Sequence, residues 1–307
     1  MLKLGRVCVP LSLDCDLSCK YCYRAAGRRD IPEFNDLMKT YLGQLSPEWC
    51  NAVIASGGEP LLHEDKVYEL FSYTPNNIHK KVMTNGLNLT QEFVDYANKE
   101  QIEVHVSHDG EKSKHLRGVD ILLEPDILAL VRQIDDLKVF SVCTALNPDP
   151  LANYEYTQKL LGRTDFVYAT QPVFVDEFFP ELINNFDWDT YSRGYIELAM
   201  KGLFRKPDHP KRFTAQTRSE GFNILPDASV VGMTRIDHTY GTVLDAKETL
   251  VKNKIAMGDG DFCNNAKCRV RDQCKCMSQI ASPHTCKGIA VTADVFAFLA
   301  NTENKDD

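Results

Sequence analysis

Four unusual residue clusters each follow directly on a short apolar run, and that coincidence constrains the fold of this 307-residue chain more than anything else in it. Val7–Leu13 leads into CDLSCKYC, which carries Cys15, Cys19 and Cys22. Ala52–Ala55 leads into Ser56, Gly57, Gly58, Glu59 and Pro60, Lys80–Met83 into Thr84, Asn85 and Gly86, and Glu103–Val106 into Ser107, His108, Asp109 and Gly110. Two further apolar runs follow, Val139–Ala145 and Phe166–Val173. Between the six lie stretches of helical periodicity, Glu33–Leu45, Lys66–Phe71, Gln91–Lys99, Asp126–Gln133 and Asn153–Leu161. Short apolar runs alternating with helices predict right-handed β-α-β crossovers and a parallel sheet curled into a partial or full barrel. In a parallel barrel every strand's carboxyl end opens on one face, where active sites are built. The four clusters are therefore expected at one mouth.

Composition narrows the class. A formal charge of −8 gives no global basic footprint for nucleic acid. The N-terminal run is interrupted by Lys3, Arg6 and Pro10, which predicts no signal peptide, and no run approaches membrane-spanning length. Eleven cysteines in a long, core-rich chain read as metal-binding or catalytic rather than as a disulfide framework, so a cytoplasmic protein is expected.

Three thiolates within eight residues can hold three irons of a cubane cluster and leave the fourth iron open to a small molecule. Zinc is the alternative; it normally takes four ligands, and no fourth cysteine or suitably spaced histidine lies nearby. Gly57 and Gly58 remove side chains, letting backbone groups approach a ligand closely, and Glu59 adds an ionic option.

CxxxCxxC after the first strand and GGEP after the second resemble the radical S-adenosylmethionine superfamily, over Val7 to about Val173. The resemblance implies a partial (β/α)6 TIM-like barrel, a [4Fe–4S] cluster on Cys15, Cys19 and Cys22, and S-adenosylmethionine chelating the open iron. Reductive cleavage of that cofactor yields a 5′-deoxyadenosyl radical that abstracts a substrate hydrogen. By the same resemblance Tyr21 lies against the adenine and Gly57, Gly58, Glu59 and Pro60 bind the methionine end. Thr84 and Asn85 line the pocket, Ser107 contacts the ribose or carboxylate region, Asp109 and Gly110 complete an SxDG motif, and Arg117 binds the cofactor carboxylate. Cys143 is a candidate hydrogen donor, if it points into the barrel.

After Val173 the character changes, which predicts a barrel unit with its connecting helix over residues 1–205, a smaller unit over 206–300 and a frayed tail over 301–307. Phe178–Leu203 reads as an aromatic-rich helical segment and Gly221–Asp245 as hairpin-like. Cys263, Cys268, Cys274, Cys276 and Cys286 crowd the region beyond, where a zinc ribbon is one reading. Together with the hairpin they resemble the SPASM and twitch extensions, which implies an auxiliary [4Fe–4S] cluster on Cys263, Cys268, Cys274 and Cys286. Cys276 is then spare, a substitute ligand or a candidate catalytic thiol. A second auxiliary cluster is not expected, because Ala228 stands at the hairpin glycine position and Met233 at a ligand position.

The resemblance implies modification of a ribosomally made peptide or protein by crosslinking, epimerisation or oxidation, with an external one-electron donor such as flavodoxin or ferredoxin. No N-terminal leader-recognition element is expected, so substrate capture falls to the aromatic segment around Phe178–Tyr195 or to a partner. Modification of a small molecule or nucleotide is the alternative. A non-catalytic iron–sulfur sensor would need neither GGEP nor SxDG.

Overall fold

The computed structural model describes residues 2–22, 30–173, 180–203, 222–232 and 238–256. Six strands, β1 (Arg6–Ser12), β2 (Ala52–Gly57), β3 (His79–Thr84), β4 (Glu103–Ser107), β5 (Leu137–Cys143) and β6 (Val167–Pro172), pair in parallel and in chain order. Between them run α1 (Asp36–Gly43), α2 (Glu64–Ser72), α3 (Gln91–Lys99), α4 (Ser113–Arg117), α5 (Pro125–Val131) and α6 (Pro150–Leu161). Helix starts follow the caps. Asn35 accepts from the Met38 amide, so α1 begins three residues later than the apolar pattern predicts. Asp149 accepts from the Leu151 and Ala152 amides and Pro150 takes the first helical position, so α6 begins three residues earlier.

The strands present two different faces, as their two-residue period requires. Val7, Val9, Leu11, Val53, Ala55, Val82, Val104, Val106, Leu137, Val139 and Tyr168 are buried in one core with Met38, Leu70, Phe71, Phe93, Val94, Val131, Tyr154 and Leu161 from the helices. The alternate residues, among them Cys8, Lys81, Met83, Ser107, Lys138, Phe140, Ala169 and Gln171, face the other way and stay only partly buried. That second face lines the lumen of the partial barrel.

Beyond β6, α7 (Pro180–Ile183) precedes α8 (Trp188–Met200), which Asp187 caps at the Thr190 amide. Here the structure corrects an expectation. Phe186, Trp188, Tyr191 and Tyr195 are not a surface for substrate capture but a buried cluster. The Phe186 and Trp188 ring centroids lie 4.5 Å apart, and the cluster packs on Cys143 at the back of β5. Phe178 and Phe179 lie outside the described residues.

The hairpin expected over Gly221–Asp245 is a three-stranded antiparallel sheet of β7 (Phe222–Ile224), β8 (Ser229–Gly232) and β9 (Thr239–Thr242), followed by α9 (Lys247–Ala256). Ala228 closes the β7–β8 turn at φ +65°, the left-handed conformation that a glycine adopts at no steric cost. Phe222, Ile224, Val230, Tyr240, Val243 and Leu250 join the barrel core, and Leu225 and Val231 pack with Leu13 and Ile31. Asn35 donates to the carbonyls of Pro226 (3.2 Å, from its backbone) and Asp227 (2.8 Å, from its side chain). The small sheet therefore rests beside β1, where the cysteine loop begins. Met233, Cys263, Cys268, Cys274, Cys276 and Cys286 lie outside the described residues. Among the described residues no helix is long and apolar enough to cross a membrane.

Candidate active site

Three strand ends converge on the cysteine loop. From β2, the Gly58 amide donates to the Ser12 carbonyl at 2.8 Å and the Glu59 amide to the Asp14 carbonyl at 2.7 Å. A Cβ on Gly57 (φ +142°) would run into the Ser12 carbonyl, and one on Gly58 into the carbonyls of Leu13 and Asp14. The glycines therefore serve the packing of one loop on the other. Their neighbouring amides are committed to that contact, so what this turn offers a ligand is carbonyl oxygen, which suits an ammonium group. Pro60 opens a short 3-10 turn (Pro60–His63), and His63 returns to Asp14 at 3.0 Å.

Glu59 does not face outward as an ionic contact. It accepts from the Leu61 amide (3.0 Å), the Thr84 hydroxyl (2.7 Å) and the Asn85 amide (2.6 Å). Burial pushes its carboxyl up to about 7, against the pull of those three bonds. The clamp holds the β3 end in register with the β2 end. Asn85 in turn donates to Asp16 at 2.6 Å with its Nδ2 3.9 Å from the Cys15 sulfur, and Asn88 donates to the other Asp16 oxygen at 2.7 Å.

From β4 comes the third arm. Asp109 is wholly buried and accepts from Arg117 Nε at 2.7 Å, from the Val142 amide at 2.8 Å and from the Tyr21 hydroxyl. The guanidinium lies 5.4 Å from the centre of the Tyr21 ring. Arg117 is thus engaged with Asp109, and the same carboxylate braces Tyr21. Strand alternation turns Ser107 into the lumen and His108 into the helix layer, where its ring bonds Thr157 (2.8 Å) and Asp120 (2.9 Å). Gly110 (φ +64°) allows α6 to approach, since a Cβ there would strike Asn153.

The three thiols lie within electrostatic reach of one another. Cys15 is exposed, Cys19 and Cys22 are half-buried, and none is in a disulfide. A turn closes between them through the Cys22 amide and the Cys19 carbonyl at 3.0 Å. Burial pushes the Cys19 thiol up to about 11, with the Arg117 guanidinium opposing. Among the described residues no three thiol, imidazole or carboxylate groups are already gathered around one point. The donor set nonetheless suits a soft metal: three thiols on one eight-residue loop, with a buried guanidinium opposing the effect of burial on Cys19. Loading them would release protons.

Cys143 fails its expected role on geometry. It is fully buried on the helix side of β5, bonded to Thr170 at 3.2 Å and within 3.7 Å of Asn153 Nδ2. Burial pushes its thiol up to about 12. It is a core residue, not a lumen thiol. Conversely, sequence reasoning passed over Asp16 and the lumen group Lys81, Glu103 and His105. Charged residues at alternate positions of otherwise apolar parallel strands were the available signal.

The sequence profile of the Radical SAM superfamily matches residues 9–117, from β1 through α4. The stretch from β1 through α4 is where this chain is similar to the radical SAM superfamily. Mycofactocin maturase MftC of Mycolicibacterium smegmatis is 30% identical over 171 residues, 53% of this chain and 43% of that protein, so the match spans less than half of the relative's length. Among solved structures, anSMEcpe with bound AdoMet superposes with a TM-score of 0.67 at 16% identity, over 98% of this chain and 99% of that one. SuiB of Streptococcus suis bound to S-adenosylmethionine gives 0.64 at 14% identity, over 89% and 72%. SuiB bound to precursor peptide SuiA gives 0.58 at 14% identity, over 82% and 65%. These likenesses carry the fold.

Proposed function

We propose that this radical SAM protein is an enzyme that modifies a ribosomally made peptide or protein. The observation that carries the reading is the docking of the Gly57–Glu59 turn onto the start of the cysteine loop, through the Ser12 and Asp14 carbonyls. It brings a three-thiol donor set and a carbonyl-bearing glycine turn together at the mouth of a parallel barrel. Cys15, Cys19 and Cys22 would hold a [4Fe–4S] cluster. When bound, cluster and S-adenosylmethionine together supply an electron and a 5′-deoxyadenosyl radical able to abstract a substrate hydrogen.

This chain's own residues position and shield. Glu59 fixes the β3 end, Asn85 and Asn88 hold Asp16 inside the loop, and Asp109 with Arg117 braces Tyr21 beside Cys22. Ser107 stands at the top of the lumen, where a substrate would enter. The peptide substrate class draws support from the maturase relative and from SuiB, whose structure holds a precursor peptide. An external one-electron donor, an auxiliary [4Fe–4S] cluster on Cys263, Cys268, Cys274 and Cys286, a division into units at residue 205 and a cytoplasmic location complete the proposal.

Anaerobic reconstitution with iron and sulfide, followed by dithionite and S-adenosylmethionine, tests it. Wild type is expected to form 5′-deoxyadenosine and methionine, and Cys15→Ala/Cys19→Ala/Cys22→Ala to form neither. Iron-loaded wild type that leaves the cofactor intact would instead be a sensor. A mass change in a short precursor peptide encoded beside the gene would establish the substrate class.

A further inference from the structure

Asn85 is held at the mouth of the barrel through its backbone and through both ends of its side chain. Its backbone amide donates to Glu59 Oε2 at 2.6 Å, and its Oδ1 accepts from the Leu87 amide at 2.8 Å. An oxygen facing a backbone N–H settles which end of the side-chain amide is which, so Nδ2 turns toward the cysteine loop. There it donates to Asp16 Oδ1 at 2.6 Å and lies 3.9 Å from Cys15 Sγ, within reach of an N–H···S bond. Only 8% of the residue is exposed, so little water competes for these partners. Asn88 holds the other Asp16 oxygen at 2.7 Å. Two amides thus share the carboxylate, and one of them also addresses the sulfur. The Leu17 backbone N–H is a second donor to that sulfur.

An amide aimed at a metal-ligand sulfur has a definite electrical consequence. Each thiolate ligand is anionic, and one-electron reduction of [4Fe–4S]2+ to [4Fe–4S]+ adds a further negative charge to cluster and ligands together. Hydrogen bonds to the sulfurs favour the more negative state and are among the factors that set cluster potentials. Asp16 acts the other way: it follows Cys15 directly, and its charge opposes more negative charge on the sulfur. Nδ2 of Asn85 meets both groups, with one N–H for the carboxylate and one for the sulfur.

We propose that Asn85 is a redox-tuning residue, which acts through Cys15 to raise the potential of the cluster on the thiol loop. It touches no reacting atom and works by positioning one N–H. This rests on the [4Fe–4S] assignment to Cys15, Cys19 and Cys22, and names what sets the ease with which the external donor's electron is accepted.

The test uses the full chain, reconstituted anaerobically with iron and sulfide and without S-adenosylmethionine, so its outcome is independent of cofactor cleavage. The EPR signal of the reduced cluster is recorded against electrode potential with viologen mediators. Signal that persists in Cys15→Ala/Cys19→Ala/Cys22→Ala belongs elsewhere in the chain and is subtracted. Asn85→Ser leaves an oxygen for the Leu87 amide and removes both N–H groups. Asn85→Ala removes the contacts with Leu87, Asp16 and Cys15 together. Both are expected to lower the midpoint, with about tenfold less reduced cluster at a given potential. That is the scale of one hydrogen bond to a charged group, and about 59 mV for one electron. Asn88→Ala takes one donor from Asp16 and none from the sulfur, and is expected to keep the wild-type midpoint. Mere loosening of the loop would admit water, which favours the charged state and moves the midpoint upward. A midpoint unchanged or raised in the Asn85 variants, or an equal fall in Asn88→Ala, would overturn the tuning role and leave the cluster assignment standing. No difference in signal between wild type and the three-cysteine variant would overturn both.

Discussion

Arg117 donates through Nε to Asp109 at 2.7 Å, and that one carboxylate also receives the Tyr21 hydroxyl from the cysteine loop and the Val142 amide from β5. Asp109 is thus the point where three segments distant in sequence are tied. Asp109→Asn would leave a buried guanidinium without its counter-charge, a loss of about 3 kcal/mol or more. Urea unfolding should show it as a lowered midpoint. Arg117→Lys should not restore full stability, because an ammonium cannot reproduce the geometry made by Nε and the second guanidinium nitrogen.

Acid should weaken the fold through the lumen. His105 titrates lower folded than unfolded, so its contribution is fully present above its ordinary value of 6.5 and is lost as pH falls through about 4. Glu103, also lowered, adds a loss of the same sign at still lower pH. Stability from denaturant titrations should fall by about 3 kcal/mol between pH 6.5 and 4 on account of His105. His105→Gln should flatten that slope; a profile as steep as wild type would contradict the assignment.

Cys143→Ala removes a buried sulfur from beneath the aromatic cluster. The expected result is a loss of about 1 kcal/mol, the usual scale for a small core truncation, with 5′-deoxyadenosine formation unchanged. Loss of cleavage in a variant that melts as wild type would restore a chemical role to this thiol.

Ala228 pays the steric cost of a left-handed residue in a buried turn. Ala228→Gly should therefore stabilise the chain by about 0.5–1 kcal/mol, the relief at φ +65° exceeding the added freedom of the unfolded chain. Differential scanning calorimetry would read this as a higher transition temperature, and a lower one would refute the argument.

Strands and crossover helices were legible because apolar runs bounded by glycine, proline and cap residues report local geometry. The convergence of the motifs followed from parallel topology alone. What stayed hidden were pairings across distance. Glu59 reads as a free carboxylate until Thr84 and Asn85 are seen to enclose it, and no sequence pattern pairs Arg117 with Asp109. The orientation of Cys143 was hidden for another reason. Phe140, Val142 and Cys143 are apolar on both faces of β5, so alternation carries no sign there.

The thiol loop takes its shape from residues far along the chain: Asn85 reaches back 69 positions to Asp16, and Asp109 reaches back 88 to Tyr21. Contacts of such separation form late in folding. On the proposed assignment, iron would be delivered to a barrel already closed through its fourth strand, since a nascent chain with only its first two strands would present three cysteines but no cradle for them.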